Sequence, residues 1–203
     1  MTFKGVAFIL CGICIIVFAI QAIFPVFTKY ISLEQQSWFQ LWRFFTALFA
    51  HGSLSHLLYN LFALALFGSI LESIIEARKF LAIFFFTGVT ANVASILIYP
   101  SSLGASGAIF GIIGTLVVLR PDMSVFAFGL PMPMFIAAII WAIGDIIGIF
   151  IPSNITNIAH LTGLAFGLVV GVVLRQSNQK KIERQRVVID EDSIIEWENK
   201  YMR

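Results

Sequence analysis

Long apolar runs constrain this chain more than any other feature. Gly5 to about Phe27 is almost unbroken by charge, and comparable runs follow at about 54–72, 80–99, 105–119, 125–151 and 158–174. A helix needs roughly 20 apolar residues to cross a bilayer. Six such stretches read as six transmembrane helices. The composition agrees, with 59% apolar and 12% charged residues and a mean hydropathy of +0.94. An ordinary soluble domain carries about 25% charged residues. A water-soluble globule, a disordered chain and a disulfide-stapled domain are therefore excluded. The first run is too long for the apolar core of a signal peptide, and no small-residue cleavage site follows it.

The spans account for residues 1–175, and the charged stretch 176–203 reads as a cytoplasmic tail, solvated or partly helical. With the N-terminus inside, the cytoplasmic side receives eleven of the 13 basic residues, among them Lys4, Arg78, Lys79, Arg120 and Arg175. Only Lys29 and Arg43 fall outside. The positive-inside rule then sets N-in, C-in. A net charge of +2 gives no reason to expect a nucleic-acid partner. The two cysteines, Cys11 and Cys14, lie in the first run and read as packing residues rather than metal or redox groups. The first outer loop, 28–53, carries Trp38, Phe39, Leu41, Trp42, Phe44 and Phe45 among few charges, which predicts a short element lying in the membrane interface.

Polar side chains inside the spans carry the chemistry, because lipid makes them costly unless partnered or functional. His51 and His56 open the second span, and Asn60 follows His56 by one turn. Ser106 opens the fourth within Gly104-Ala105-Ser106-Gly107, and His160 opens the sixth. At about 1.5 Å per residue, Ser106 lies about 21 Å from Arg120 and His160 about 22 Å from Arg175. Asn60 lies about 18 Å from Glu72, or about 24 Å from Glu76 if the helix continues. In a core about 30 Å thick, all three fall at one level, roughly 10 Å below the outer surface. A serine, an imidazole and an amide at one depth suggest nucleophilic acyl transfer, with His160 as base and with donors for an oxyanion. Glycines at 163, 167 and 171, and at 107, 111 and 114, form small-residue stripes that would bring the fourth and sixth spans close together. Taken singly, each of these features has an ordinary packing explanation. Together they favour a site.

The same residues resemble those of the rhomboid intramembrane serine proteases. The matching pieces are Trp42-Arg43, the His51, His56 and Asn60 spacing, Gly104-Ala105-Ser106-Gly107, and Ala159-His160 followed by Gly163 and Gly167. The resemblance implies an all-α, six-span bundle in a minimal form, without a large N-terminal domain or a seventh span. It implies a serine endopeptidase with Ser106 as nucleophile and His160 as base, a dyad without a third acid. It also implies His56, Asn60 and the Ser106 amide as oxyanion donors, Gly104 in the loop before the nucleophile, and His51 as an organiser of the outer rim. Trp42 and Arg43 fall in a region of structural support. Many relatives have a tyrosine where this chain has Phe110, which can stack on His160 but cannot donate a hydrogen bond. Some have a further histidine where this chain has Ala47. Expected substrates are single-span membrane proteins whose helix unwinds near the outer surface, with small or helix-breaking residues favoured at the cleaved bond. His51, His56 and Ser102 are expected at the rim to admit water, and the fifth span and the loop at Pro152 are expected to move for substrate entry. No metal, nucleotide or prosthetic group is implied, and the compact form suggests a prokaryotic plasma membrane.

Other classes fit less well. A non-proteolytic rhomboid-like pseudoprotease that binds membrane clients would typically lack the serine or the histidine. A metalloprotease needs two histidines four apart flanking a glutamate, and an aspartyl protease needs two acids in one site. A small transporter finds support only in Asp145, between Gly144 and Gly148 in the fifth span. That carboxyl is read as hydrogen-bonded to a neighbouring span rather than as catalytic.

Overall fold

The computed structural model describes residues 5–151, 156–185 and 191–202. The first helix, α1 (Val6–Ile23), starts after Gly5, whose φ is 74°. Its opening N–H groups on Val6 and Ala7 donate to the Glu72 carboxylate at 2.9 and 3.0 Å. A remote, buried carboxylate thus caps α1 where the first turn of a helix has no internal acceptors.

Pro25, suited to a first helical turn, opens α2 (Pro25–Ile31). The chain then passes through β1 (Leu33–Glu34) and a short helix, α3 (Arg43–Thr46). The Arg43 guanidinium is buried here and donates to the Ser32 carbonyl at 2.7 Å, to the Lys29 carbonyl and to Gln40 Oε1. One charge therefore ties α2 to α3. Trp38, Phe39, Leu41, Trp42 and Phe45 are exposed along this loop.

The second span begins with α4 (Leu54–Ala63), passes through a π-helical turn at 64–68 and ends with α5 (Ser69–Ile74). Next come α6 (Ala77–Ile96), β2 (Ser101–Ser102) and α7 (Ser106–Leu119). β2 pairs antiparallel with β1, Leu33 opposite Ser102, and so fastens the segment before α7 to the first loop.

The fifth apolar run divides in the structure. Residues 124–133 form a hairpin of β3 (Ser124–Ala127) and β4 (Leu130–Pro133), and α8 (Met134–Gly148) starts only afterwards. This corrects the expected start of the span near Val125. Phe128 and Gly129 both have positive φ, 54° and 80°, the pair of conformations a two-residue hairpin turn demands. Pro131 and Pro133 cannot continue a helical ladder.

Beyond α8, α9 (Asn157–Gln185) runs past Arg175 without a break, and α10 (Glu191–Tyr201) follows. Lys4 and Pro152, named above, lie outside the described residues, as do Arg186 and Arg203 among the basic residues counted in the tail.

Among the described residues, four helical segments are long and apolar enough to cross a membrane: Val6–Ile23, Leu54–Ile74, Ala77–Ile96 and Asn157–Ser177. The two others, α7 and α8, are shorter. The 14 residues of α7 reach about 21 Å, less than a bilayer core. Most of them are buried, including Ile112, Leu116 and Thr115 at 0% exposure. A short helix wrapped by longer ones can begin below the surface without leaving its first turn in lipid.

Glycine stripes set the central contact. A Cβ on Gly163 would lie 2.0 Å from the Gly107 carbonyl oxygen, and one on Gly167 would lie 2.1 Å from that of Gly111. The α7 and α9 backbones therefore touch, in the way small residues permit between membrane helices. Thr115 Oγ1 bridges them at 2.9 Å from Gly111 O and 3.1 Å from Gly167 O.

Candidate active site

The N-terminus of α7 is delivered by a constrained loop. Gly104 has φ +114°, which side-chain-bearing residues rarely adopt. Its N–H donates to the Ala47 carbonyl at 2.8 Å. A Cβ at this position would lie 2.7 Å from both Cε1 and Nε2 of His56, so the missing side chain lets the imidazole lie against the loop. Ser106 is the first residue of α7 and is partly exposed, while Ala105 and Gly107 on either side are buried. The first N–H groups of a helix have no partner within it, so they stand ready for an anion.

One turn after Ser106, Phe110 stacks on His160 with ring centroids 4.4 Å apart and planes within 3°. Since residues four apart share a helix face, the face of α7 that carries Ser106 is turned toward His160. Among the described residues no hydrogen bond joins the two side chains. The backbones beneath them are in contact, and a Cβ on Gly107 would sit 3.5 Å from the carbonyl oxygen of Ala159, next to His160.

His56 is half-buried, and its N–H donates to the N-cap hydroxyl of Ser53 at 3.1 Å. Asn60 is buried. Its Nδ2 donates to the His56 carbonyl at 2.8 Å, and its Oδ1 has no partner among the described residues. His56, Asn60, Gly104, Ser106, Phe110 and His160 thus come from α4, α7, α9 and the loop before α7, and gather at one end of the bundle.

His51 is placed differently from expectation. It is 2% exposed, not open at a rim, and its ring meets His56 edge-on at 5.0 Å. Its Nδ1 lies 3.1 Å from the Phe49 carbonyl, and its Nε2 is buried without a partner among the described residues. Burial, reinforced by the neighbouring His56, pushes its pKa down to about 4. Ser102 is likewise buried and donates to Asn92 Oδ1 at 3.0 Å, while Asn92 donates to the Phe44 carbonyl at 2.9 Å. Both side chains hold the loop together rather than line an open mouth.

Sequence reasoning missed two partners. Gln21, on α1, clasps the His51 backbone by accepting from its N–H at 3.1 Å and donating to its carbonyl at 3.2 Å. Asp145 Oδ1, on α8, lies 2.9 Å from His160 Nδ1. The neighbouring span expected for this carboxyl is therefore α9. The available signal was the same for both residues, a polar side chain inside an apolar run.

A model of the rhomboid domain matches residues 38–177. The chain belongs to the rhomboid family. This rhomboid is 29% identical over 143 residues to YdcA of Bacillus subtilis, covering 69% of this chain and 70% of that one. It is 32% identical over 145 residues to the rhomboid protease GluP of the same organism, covering 70% of this chain but only 27% of GluP. It is 25% identical over 185 residues to the rhomboid protease GlpG of Haemophilus influenzae, covering 88% of this chain and 95% of GlpG. Family and apolar helices together make it an all-α, multi-pass membrane protein.

Proposed function

We propose that this rhomboid is an intramembrane serine endopeptidase that cleaves single-span substrates near the outer face. The membrane unit would occupy residues 1–175 as six spans, N-in and C-in, with 176–203 as a cytoplasmic tail. Bacterial relatives support a prokaryotic plasma membrane. The carrying observation is the stack of Phe110 on His160, one turn from Ser106, over a glycine contact that holds both backbones in place.

In this reading the Ser106 hydroxyl attacks a substrate carbonyl carbon while His160 Nε2 takes its proton. The carbonyl π pair moves onto oxygen. The Ser106 N–H, the His56 side chain and Asn60 Nδ2 offer hydrogen bonds to that oxyanion. Nδ2 has two hydrogens, and the bond to the His56 carbonyl uses one. When the oxyanion collapses, the C–N bond breaks and His160 returns the proton to the departing amine. Water then repeats the sequence on the acyl-serine and frees Ser106. A carbonyl still bonded within a transmembrane helix cannot enter this site, so a substrate must unwind locally. Gly104 lets His56 close over the loop, and Phe110 supports the imidazole by stacking alone.

Reconstitution with a model transmembrane substrate tests the assignment. Cleavage and fluorophosphonate labelling at Ser106 are expected in the wild type, and loss of cleavage in Ser106→Ala and His160→Ala. Cleavage that survives both substitutions ends the protease reading. Client binding without cleavage in the wild type points to a pseudoprotease instead.

A further inference from the structure

The mechanism above asks nothing of Asp145, yet this is where α8 meets the base. Asp145 is 8% exposed and its Oδ1 lies 2.9 Å from His160 Nδ1. The neighbours of Asp145 along α8, Ile143, Ile146 and Ile147, are exposed apolar residues suited to lipid. A carboxyl in such a helix is costly without a partner.

A second contact shows that the pairing is held in register. One turn beyond Asp145, Gly148 faces Asn157, which lies one turn before His160. A Cβ on Gly148 would lie 2.8 Å from both Nδ2 and Oδ1 of Asn157. Asp145 against His160 and Gly148 against Asn157 are successive rungs between antiparallel helices. The missing side chain at Gly148 lets α9 approach closely enough for the Asp145–His160 contact to form.

The imidazole is thus constrained twice. Phe110 covers one ring face, and the carboxylate holds the Nδ1 edge. An ionised carboxylate only accepts hydrogen bonds. Against an ionised Asp145, Nδ1 carries the proton and Nε2 keeps the lone pair that proton transfer from Ser106 needs.

We propose that Asp145 is a positioning residue for His160, fixing its ring and its tautomer so that Nε2 serves as the base. The inference rests on the protease reading. It makes the site a serine, a histidine and an orienting acid contributed by α7, α9 and α8.

Asp145→Asn tests it, because the amide can donate to Nδ1 and so favour the tautomer with its proton on Nε2. In a soluble serine protease that exchange lowers kcat by about 10⁴. Here kcat is expected to fall at least about ten-fold with KM within about two-fold, the mark of an interaction needed in the transition state. Thermal unfolding and detergent gel filtration report whether the variant is folded. A second measurement needs no variant at the acid. In ¹⁵N-histidine-labelled wild-type protein at mildly alkaline pH, the His160 signal, assigned by its loss in His160→Ala, is expected to show a protonated Nδ1 and a bare Nε2. A proton found on Nε2 overturns the proposal. So does a folded Asp145→Asn whose kcat falls less than ten-fold while Ser106→Ala and His160→Ala are inactive. Should those two variants cleave like the wild type, the protease reading itself falls and takes this one with it.

Discussion

At Gly104 two constraints fall on one residue. Its φ of +114° is strained for any side chain, and a Cβ there would collide with the His56 ring at 2.7 Å. Gly104→Ala should therefore displace the loop before Ser106 together with the imidazole. A stability loss of about 1–3 kcal/mol is expected from backbone strain, along with a fall in cleavage of about ten-fold or more from a misplaced oxyanion donor. Substrate cleavage and thermal unfolding in detergent measure the two separately, and cleavage close to wild type would show that the loop has slack.

His51, which precedes the second span, makes the other residue-scale prediction. Its folded pKa is depressed to about 4 from the ordinary 6.5, chiefly by burial and then by His56. The folded state thus prefers the neutral ring, and the unfolded chain binds the extra proton first. Stability is fully present above pH 6.5 and declines as pH falls toward 4, by up to about 3 kcal/mol at about 1.4 kcal/mol per pH unit. Thermal unfolding across that window should show the decline, and His51→Gln should flatten it. An equal decline in both proteins would move the cause to another group.

At the scale of the elements, the contact between α7 and α9 decides where nucleophile and base meet. Gly163 has no room for a side chain, its missing Cβ being 2.0 Å from the Gly107 carbonyl oxygen. Gly163→Val should push the helices apart or shift them in register. The expected cost is about 1–3 kcal/mol of overpacking, with cleavage lost even though neither Ser106 nor His160 is altered. A parallel case lies at the far end of α1, where buried Glu72 accepts from Val6 and Ala7. Glu72→Gln keeps the shape but replaces one acceptor oxygen by a donor. A destabilisation of about 1–3 kcal/mol follows from a buried N–H left unpaired, read as a lower unfolding temperature with the cleavage of folded protein little changed.

For the whole molecule, an apolar surface facing outward and an apolar core enclosing a few buried polar side chains define a protein organised from the bilayer inward. Orientation is the testable property at this scale. Cysteines introduced one at a time at Lys29 and Asn199, in a background with Cys11 and Cys14 replaced, should differ in access to an impermeant thiol reagent on intact cells. Lys29→Cys should label from outside and Asn199→Cys only after permeabilisation. The reverse pattern would invert the membrane orientation and place the cleavage site near the cytoplasmic face.

Much of this organisation is readable along the chain, because a bilayer forces each span to be apolar over its own length and penalises every polar exception. The runs around α1, α4 to α5, α6, α7 and α9 are visible for that reason, and Ser106, His56, Asn60 and His160 stand out against them. The start of α8 was not visible. Residues 125–133 are apolar enough for a span, but Pro131, Pro133 and the positive φ angles at Phe128 and Gly129 turn them into a hairpin. Nor could spacing reveal that Asp145 would meet His160, that Gln21 would clasp His51, or that His51 would be buried. Membrane solvation acts on each segment alone, so the sequence determined which segments enter lipid and which polar groups need a reason to be there. Partners among those groups depend on helix register and approach, which glycine contacts between distant segments decide, and these exist only once the chain has packed.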